Sequence, residues 1–283
     1  MTTLREIRGT TRITAVLGWP VEHSRSPQML NAAFAEVGVD AVMVPMAVAP
    51  DDLAAAVAGL RAVRALGASV TVPHKVAVVA LCDELTAGAR AIGAVNCLEI
   101  EDGGRMIGHN TDEGGFAEGL AATGFVLRGK RAVLLGAGGA ARAVAFGLRG
   151  GRAIEVIARR PADIEWARAW PWEPAHLRDA FARADLVVDC TPLGLGGPDE
   201  AAQVAALPLD ALRPGTTVAS LVYHREPLLL AAARARGLAS LDGRGMLVHQ
   251  GARAFTVWTG HPAPVARMTE ALDRALAVAI PGT

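Results

Sequence analysis

The amino-acid sequence predicts an α/β fold built as two successive units. Short apolar runs alternate with longer Ala/Leu/Arg-rich segments at helical spacing, the pattern of βαβ units and parallel sheets. The alternation occurs twice, and the second series starts near Arg131. The 283 residues suit roughly two domains of about 150 residues each, and a hydrophobic content of 52% can fill a large core.

In the first series, strands are expected over Ile13–Leu17, Val42–Ala47, Ser69–Val72 and Ala94–Ile100. Helices are expected over Pro27–Val37, Asp51–Val63 and Lys75–Cys82. Pro27 follows Ser26 as a first-turn proline follows an N-cap. Pro73 biases Val72 towards an extended conformation, so the third strand should end there. In the second series the strands are AVLL (132–135), AIEVIA (153–158), DLVVDC (185–190), TTVASL (216–221) and LASLD (238–242), with helix-like stretches between them. After GRGMLVHQGARAFTVWTG (243–260) a last helix should run from about Pro264 to Val278.

The bulk numbers exclude several function classes. Lys and Arg number 28 against 28 Asp and Glu, scattered without like-charged runs, so no polyanionic partner such as nucleic acid is expected. Charge-free stretches such as 41–50 and 132–141 stop far short of the roughly 20 residues of a membrane span. The segment MTTLREIRGT has no apolar stretch behind its charges, so no signal peptide is expected. Cys82, Cys97 and Cys190 are sparse and lack a CxxC pair, which fits reduced thiols and a cytoplasmic protein. No HExxH or clustered Cys/His spacing occurs, so no metal site is expected.

AVLL runs directly into Gly136-Ala137-Gly138-Gly139-Ala140-Ala141 and then a helical segment. This is G-x-G-x-x-G/A with Ala141 in the third small position. The first glycine permits the tight turn, the second lets the backbone approach a pyrophosphate, and the third small residue lets helix and strand pack closely. An ordinary βα turn can also be glycine-rich, but the placement between strand and helix points to a Rossmann-type dinucleotide site. An NAD enzyme usually carries an acid at the end of the next strand. Here AIEVIA ends in Arg159-Arg160, with no acid until Asp163. Two guanidiniums suit a 2′-phosphate, so the expected cofactor is NADP.

Four polar clusters in the first series fall at expected strand ends or helix starts: 23–27 (HSRSP), 69–75 (SVTVPHK), 93–96 (GAVN) and 108–112 (GHNTD). Loops at such positions converge on ligands. Lys75 would open the helix after Pro73, where the dipole works against a cation. Asp112 is the candidate carboxylate partner. Taken singly, Lys75 also reads as a solvated helix-start lysine, Asp112 as a cap of a helix starting near Glu113, and the serines as caps.

Together these segments resemble the shikimate dehydrogenase family: G-W-P-V-x-H-S-x-S-P (18–27), S-V-T-V-P-x-K (69–75), G-A-V-N (93–96), G-x-N-T-D-x-x-G (108–115), G-A-G-G-A (136–140) and G-M-L-V-x-Q-G (245–251). They follow the family's order over nearly the whole chain. The resemblance implies a substrate-binding catalytic domain over 1–112, a doubly wound NADP-binding domain over 113–244, and C-terminal helices over 245–283 packing back on the first. It implies Lys75 and Asp112 as a catalytic dyad, with Ser24, Ser26, Ser69, Thr71, Asn96, Tyr223 and Gln250 binding the substrate's carboxylate and hydroxyls. Gly136, Ala137, Gly138, Gly139, Ala140, Arg159 and Arg160 would hold NADP, with Thr191, Leu221 and Gly243 on its nicotinamide side. The implied reaction is reversible NADPH-dependent reduction of 3-dehydroshikimate to shikimate, by a monomer or homodimer.

The chain departs from the family pattern at several positions. Ser69 stands where Asn is usual. The N-R-T stretch reads Ala158-Arg159-Arg160, N-A-T-S-x-G reads Asp189-Cys190-Thr191-Pro192-Leu193-Gly194, and D-x-x-Y-x-P reads Ser220-Leu221-Val222-Tyr223-His224-Arg225. These changes keep a quinate, quinate/shikimate or aminoshikimate dehydrogenase open as an alternative. A non-catalytic ligand sensor would keep the pocket but has no need of both Lys75 and Asp112. A methylenetetrahydrofolate dehydrogenase shares the two-domain plan, and the S-x-S-P and N-T-D elements argue against it.

Overall fold

The structure is a computed structural model that describes residues 6–278. The chain divides into two compact units, one running to Thr111 and resuming at Val248, the other spanning Asp112–Leu247. No helix among the described residues is long and apolar enough to cross a membrane.

The first unit holds β1 (Arg12–Gly18), α1 (Ser26–Val37), β2 (Ala41–Ala47), α2 (Leu53–Ala62), β3 (Gly67–Val70), β4 (Glu84–Leu85), α3 (Ala87–Ile92), β5 (Cys97–Ile100) and β6 (Met106–His109). Its sheet order is β2-β1-β3-β5-β6-β4. The β1 pairings with β2 and β3 are parallel, whereas β3–β5 and β5–β6 are antiparallel. The sheet is therefore mixed, not built of βαβ units throughout. The expected strand 94–100 loses its first three residues to leave β5, because they follow directly on the left-handed Gly93 that ends α3 and Val95 N is drawn to Lys75 O. Residues 101–105 then turn the chain straight back into β6, which the apolar-run pattern does not reveal.

One face of this sheet packs Ala15, Leu17, Ala68, Val70 and Leu98 against Leu53, Val57 and Leu60 of α2. Farther along the chain come α9 (Arg244–Thr259), whose residues from Val248 on belong to this unit, and α10 (Val265–Leu276). Phe34 of α1 meets Phe255 of α9 with ring centroids 5.4 Å apart. Met29 of α1 and Met268 of α10 both reach towards Gly251. The Trp258 indole donates to the buried Leu98 carbonyl at 2.8 Å. Gly67 is required beneath it, since a Cβ there would collide with Leu98 O and the indole.

The second unit is a parallel sheet of β7 (Arg131–Leu135), β8 (Ala153–Ala158), β9 (Arg168–Pro171), β10 (Leu186–Asp189), β11 (Thr217–Ser220) and β12 (Ala239–Leu241), in the order β12-β11-β10-β7-β8-β9. Its helices are α4 (Asp112–Ala121), α5 (Gly139–Gly147), α6 (Pro174–Arg183), α7 (Glu200–Ala205) and α8 (Leu228–Arg234). Alternate residues of each strand feed two cores. Val133, Leu135, Ile157, Val187 and Val218 point to one face, and Ala132, Leu134, Val156, Val188 and Ala219 to the other. That double burial explains why these strands read as continuous apolar runs. The strand order reverses between β7 and β10, which makes their carboxyl ends the switch point of a doubly wound sheet.

Candidate active site

In the first unit, the loop after β3 is sewn to the end of β1. Thr71 N donates to Leu17 O at 2.9 Å, and Trp19 N donates to Val72 O at 3.1 Å. The Trp19–Pro20 and Val72–Pro73 peptide bonds within these two loops are cis. Gly18 leaves room for the Thr71 methyl, which lies 2.5 Å from where a Cβ would stand.

Lys75 does not open an α-helix. The residues after Pro73 form a turn, followed by a 3₁₀ segment over Ala77–Leu81 in place of the expected 75–82 helix. Val76, Val78 and Val79 are β-branched and disfavour the α conformation, and the turn itself consumes the first residues. A segment this short carries little aligned dipole, so the helix-dipole argument for Lys75 lapses. What fixes the loop is local. Lys75 O accepts the Val95 N–H at 2.8 Å. Buried His74 places Nε2 2.8 Å from Val48 O, where the ring N–H donates.

Asn96 anchors a buried polar network. Its Oδ1 accepts from Thr111 N at 2.6 Å, and its Nδ2 donates to Thr111 Oγ1 at 3.0 Å and to Gln250 Oε1 at 3.4 Å. Asn110 Nδ2 donates to Ala94 O at 3.0 Å, tying the same two loops together. Asn96 O accepts from Val70 N at 2.8 Å, so the network is continuous with the strand that carries Ser69. Ser69 is buried, and its Oγ has no hydrogen-bond partner among the described residues. A buried hydroxyl of this kind suits a polar ligand group that arrives from outside the fold.

The serines of the S-x-S-P motif do not cap α1. Ser26 is its first residue, the cap position is Arg25, and no side chain caps it. Ser24 Oγ instead accepts the Ser26 N–H at 3.4 Å, which tightens the turn into the helix. Asp112 is likewise the first residue of α4, one peptide bond beyond the Thr111 that Asn96 holds.

In the second unit, Gly136 has φ +94°, and a Cβ there would meet Thr191 and Cys190 at 3.0–3.4 Å. Gly138 caps α5 in an extended conformation, with nothing within 4 Å of where its Cβ would be. A bare turn leading into the exposed N–H groups of a helix start fits a pyrophosphate. Arg159 and Arg160 follow the end of β8. Arg160 forms a solvated pair with Asp163 at 3.5 Å, which leaves Arg159 as the stronger candidate for a phosphate. Across the switch point, Thr191 packs on the glycine turn, and Gly243 N donates to Val222 O at 3.0 Å. A Cβ on Gly243 would collide with Leu221 O, so these two residues form one surface after β11 and β12.

The residues assigned to a substrate therefore separate by unit. Asn96 and Gln250 share one network, Ser69 and Thr71 flank it on the β3 end, and Ser24 and Ser26 lie after β1. Tyr223 belongs to the second unit, on the loop after β11, with its ring edge-on to His224 at 5.9 Å. Sequence reasoning assigns no role to His74, Asn110, Arg142, Trp166 or Asp189. Arg142, in the first turn of α5, lies 5.9 Å from the Trp166 ring beyond β8. Its position three residues after Gly139 is the one signal that could have flagged it.

Asp189, the last residue of β10, is almost completely buried. Its Oδ1 accepts from Thr191 N at 3.0 Å and from Thr191 Oγ1 at 2.6 Å. Burial pushes its carboxyl up to about 6, opposed by the Thr191 hydrogen bonds and reinforced by Glu200. Burial also raises the neighbouring Cys190 thiol well above its ordinary range, so it stays neutral.

Comparison with known proteins places these features in context. Residues 16–98 match the family model for the shikimate dehydrogenase substrate binding domain, and residues 243–272 match that for the shikimate 5′-dehydrogenase C-terminal domain. A shikimate dehydrogenase (NADP(+)) of Moorella thermoacetica is 45% identical over 287 residues, covering 96% of each chain. The shikimate 5-dehydrogenase of Thermus thermophilus, solved with NADP(H) and shikimate, is 35% identical with a TM-score of 0.82, covering 94% of this chain and 100% of that one. A 5-ketofructose reductase of Gluconobacter is 32% identical with a TM-score of 0.79, covering 95% of this chain and 100% of that one.

Proposed function

The chain belongs to the shikimate dehydrogenase family, and from that premise we propose that it is an NADP-dependent shikimate dehydrogenase, reducing the ring ketone of 3-dehydroshikimate reversibly to shikimate. The observation that carries the substrate assignment is the buried Asn96–Thr111–Gln250 network beside the Lys75 loop. Fixed amides and hydroxyls select a small polyol acid, because an analogue lacking a hydroxyl leaves a buried donor unpaired.

The bound nicotinamide supplies or accepts the hydride. Lys75 is the proton donor to the developing alkoxide in reduction and the acceptor in the reverse direction, with Asp112 as its carboxylate partner. The Lys75 ammonium also offsets negative charge on that oxygen. Ser24, Ser26, Ser69, Thr71, Asn96, Gln250 and Tyr223 hold the carboxylate and hydroxyls. The Gly136–Ala140 turn takes the diphosphate, and Arg159, supported by Arg160, takes the 2′-phosphate. Thr191, Leu221 and Gly243 line the nicotinamide side. Sparse cysteines without a CxxC pair support a cytoplasmic location.

The test crosses NADP and NAD with shikimate and quinate and follows absorbance of the reduced nicotinamide. The expected result is a far higher kcat/KM for shikimate with NADP. Preference for quinate would overturn the substrate assignment and point to the shortened Ser69 side chain as its cause. Lys75→Met should lower kcat by about 10²–10⁴-fold with a much smaller change in KM. An unchanged kcat would remove Lys75 from the chemistry.

A further inference from the structure

Asp189 ends β10 at the switch point of the doubly wound sheet. It is register-paired with Leu135, the residue before Gly136, and with Ser220 at the end of β11. The switch point between β7 and β10 is where a doubly wound sheet takes its ligand. The glycine turn would hold the diphosphate and Arg159, beyond β8, the 2′-phosphate, so the nicotinamide half would fall on the β10 and β11 side of the switch point. One carboxylate oxygen of Asp189 is committed to Thr191, which packs on Gly136. The other, Oδ2, is buried and has no hydrogen-bond partner among the described residues.

The surroundings leave this charge uncompensated. Leu135 on β7 is apolar, and Ser220 on β11 turns its Oγ to the Val222 N–H at 3.3 Å. Cys190 is neutral. On α7, Glu200 is matched by Arg225 at 2.9 Å and by the Leu228 N–H at 3.0 Å, so the arginine is spent on Glu200. The family pattern has an amide at 189 and a carboxylate at 220. Here the carboxylate sits on the neighbouring strand, at the register-paired position.

We propose that Asp189 sets the redox preference of the cofactor site: its buried carboxylate favours the oxidised, cationic nicotinamide over the reduced, neutral one. This rests on the NADP reading above. Only the nicotinamide charge differs between the two forms, because the phosphates are common to both and cancel in the ratio of their affinities. The raised carboxyl of Asp189 places the change within a measurable range. Above about pH 6 the carboxylate is present and the preference holds. Below it the group protonates on the free oxygen, the Thr191 hydrogen bonds to Oδ1 survive, and the preference fades.

The experiment measures Kd for NADP⁺ and for NADPH, by fluorescence quenching and calorimetry without substrate, from pH 5 to 8. In the wild type, the ratio of affinities should move towards NADP⁺ by about 3- to 10-fold between pH 5 and pH 8, the scale of one unit charge acting through a partly screened interior. Asp189→Asn keeps the acceptor for Thr191 and removes the charge. It should hold the low-pH ratio across the whole range while binding both forms. His224, on the loop after β11, is unchanged in the variant, so any contribution from it persists there. A wild-type ratio independent of pH, or the same pH dependence in Asp189→Asn, overturns the proposal while leaving the NADP reading intact. Failure of the wild type to bind either form overturns the NADP reading itself, and the proposal with it.

Discussion

Burying Asp189 costs the folded state when its carboxyl is charged. Its carboxyl is raised to about 6 in the fold, against an ordinary value of 3.8. The native state therefore holds the proton more tightly than the unfolded chain does. Stability from this group is fully present below pH 4, and it falls as pH rises between 4 and 6, by an amount on the order of 2–3 kcal/mol. Asp189→Asn should then raise Tm at pH 7.5 by several degrees, with the gain shrinking towards zero near pH 4. A calorimetric scan at both pH values checks this. A variant destabilised at pH 7.5 would mean that the charge is compensated by a group outside the described contacts. Ser69 poses the opposite case, since its unpartnered hydroxyl is neutral at every pH. Ser69→Ala should leave the unfolding free energy within about 1 kcal/mol of the wild type but weaken substrate binding, and a shikimate titration separates the two effects.

At the level of elements, close helix packing in the second unit hangs on single glycines. A Cβ on Gly147 of α5 would run into the Glu113 carbonyl of α4, and one on Gly119 of α4 would lie 2.8 Å from the Gly245 carbonyl carbon. Backbone cannot swing aside as a side chain can. Gly147→Ala should therefore destabilise by roughly 1–3 kcal/mol despite its higher helix propensity, and denaturant unfolding would read it. An unchanged midpoint would show that α4 and α5 can slide apart. The strands of this unit were legible because double burial writes them as apolar runs. The strand β9 was not: Arg168–Pro171 is a half-exposed edge ending in proline, with no such run to betray it. The same limit applies to the site. The glycine turn and the S-x-S-P, V-P-x-K and N-T-D segments could be read locally. The contacts that fix them, such as Asn96 to Gln250 across 154 positions, are not written in any window of sequence. Lys75 falls in the turn after Pro73, and the helix expected from 75 to 82 gives way to a 3₁₀ segment because its β-branched neighbours disfavour the α conformation.

Across the whole molecule, one unit is a single stretch of chain and the other is not. Asp112–Leu247 carries a complete doubly wound sheet with its own two cores. Expressed alone, it should fold cooperatively and bind NADP⁺, with far-ultraviolet circular dichroism and a calorimetric titration as the checks. An unfolded product would show that its stability is borrowed. The first unit depends on distant sequence: Phe255 covers Phe34, and the Trp258 indole satisfies Leu98 O. Removing the α9–α10 segment strips α1 of its cover and leaves that carbonyl unpaired, so such a truncation should lose the protected amides of β1 and β3 in hydrogen exchange. On the ribosome this arrangement sets an order of events. At roughly 5–20 residues per second, the nascent β1–β6 sheet waits seconds to tens of seconds for Trp258 to emerge, while the nucleotide-binding unit has all its parts in hand sooner. The half of the protein translated first is thus the half completed last, and during that interval its uncovered α1 face is what a chaperone would meet.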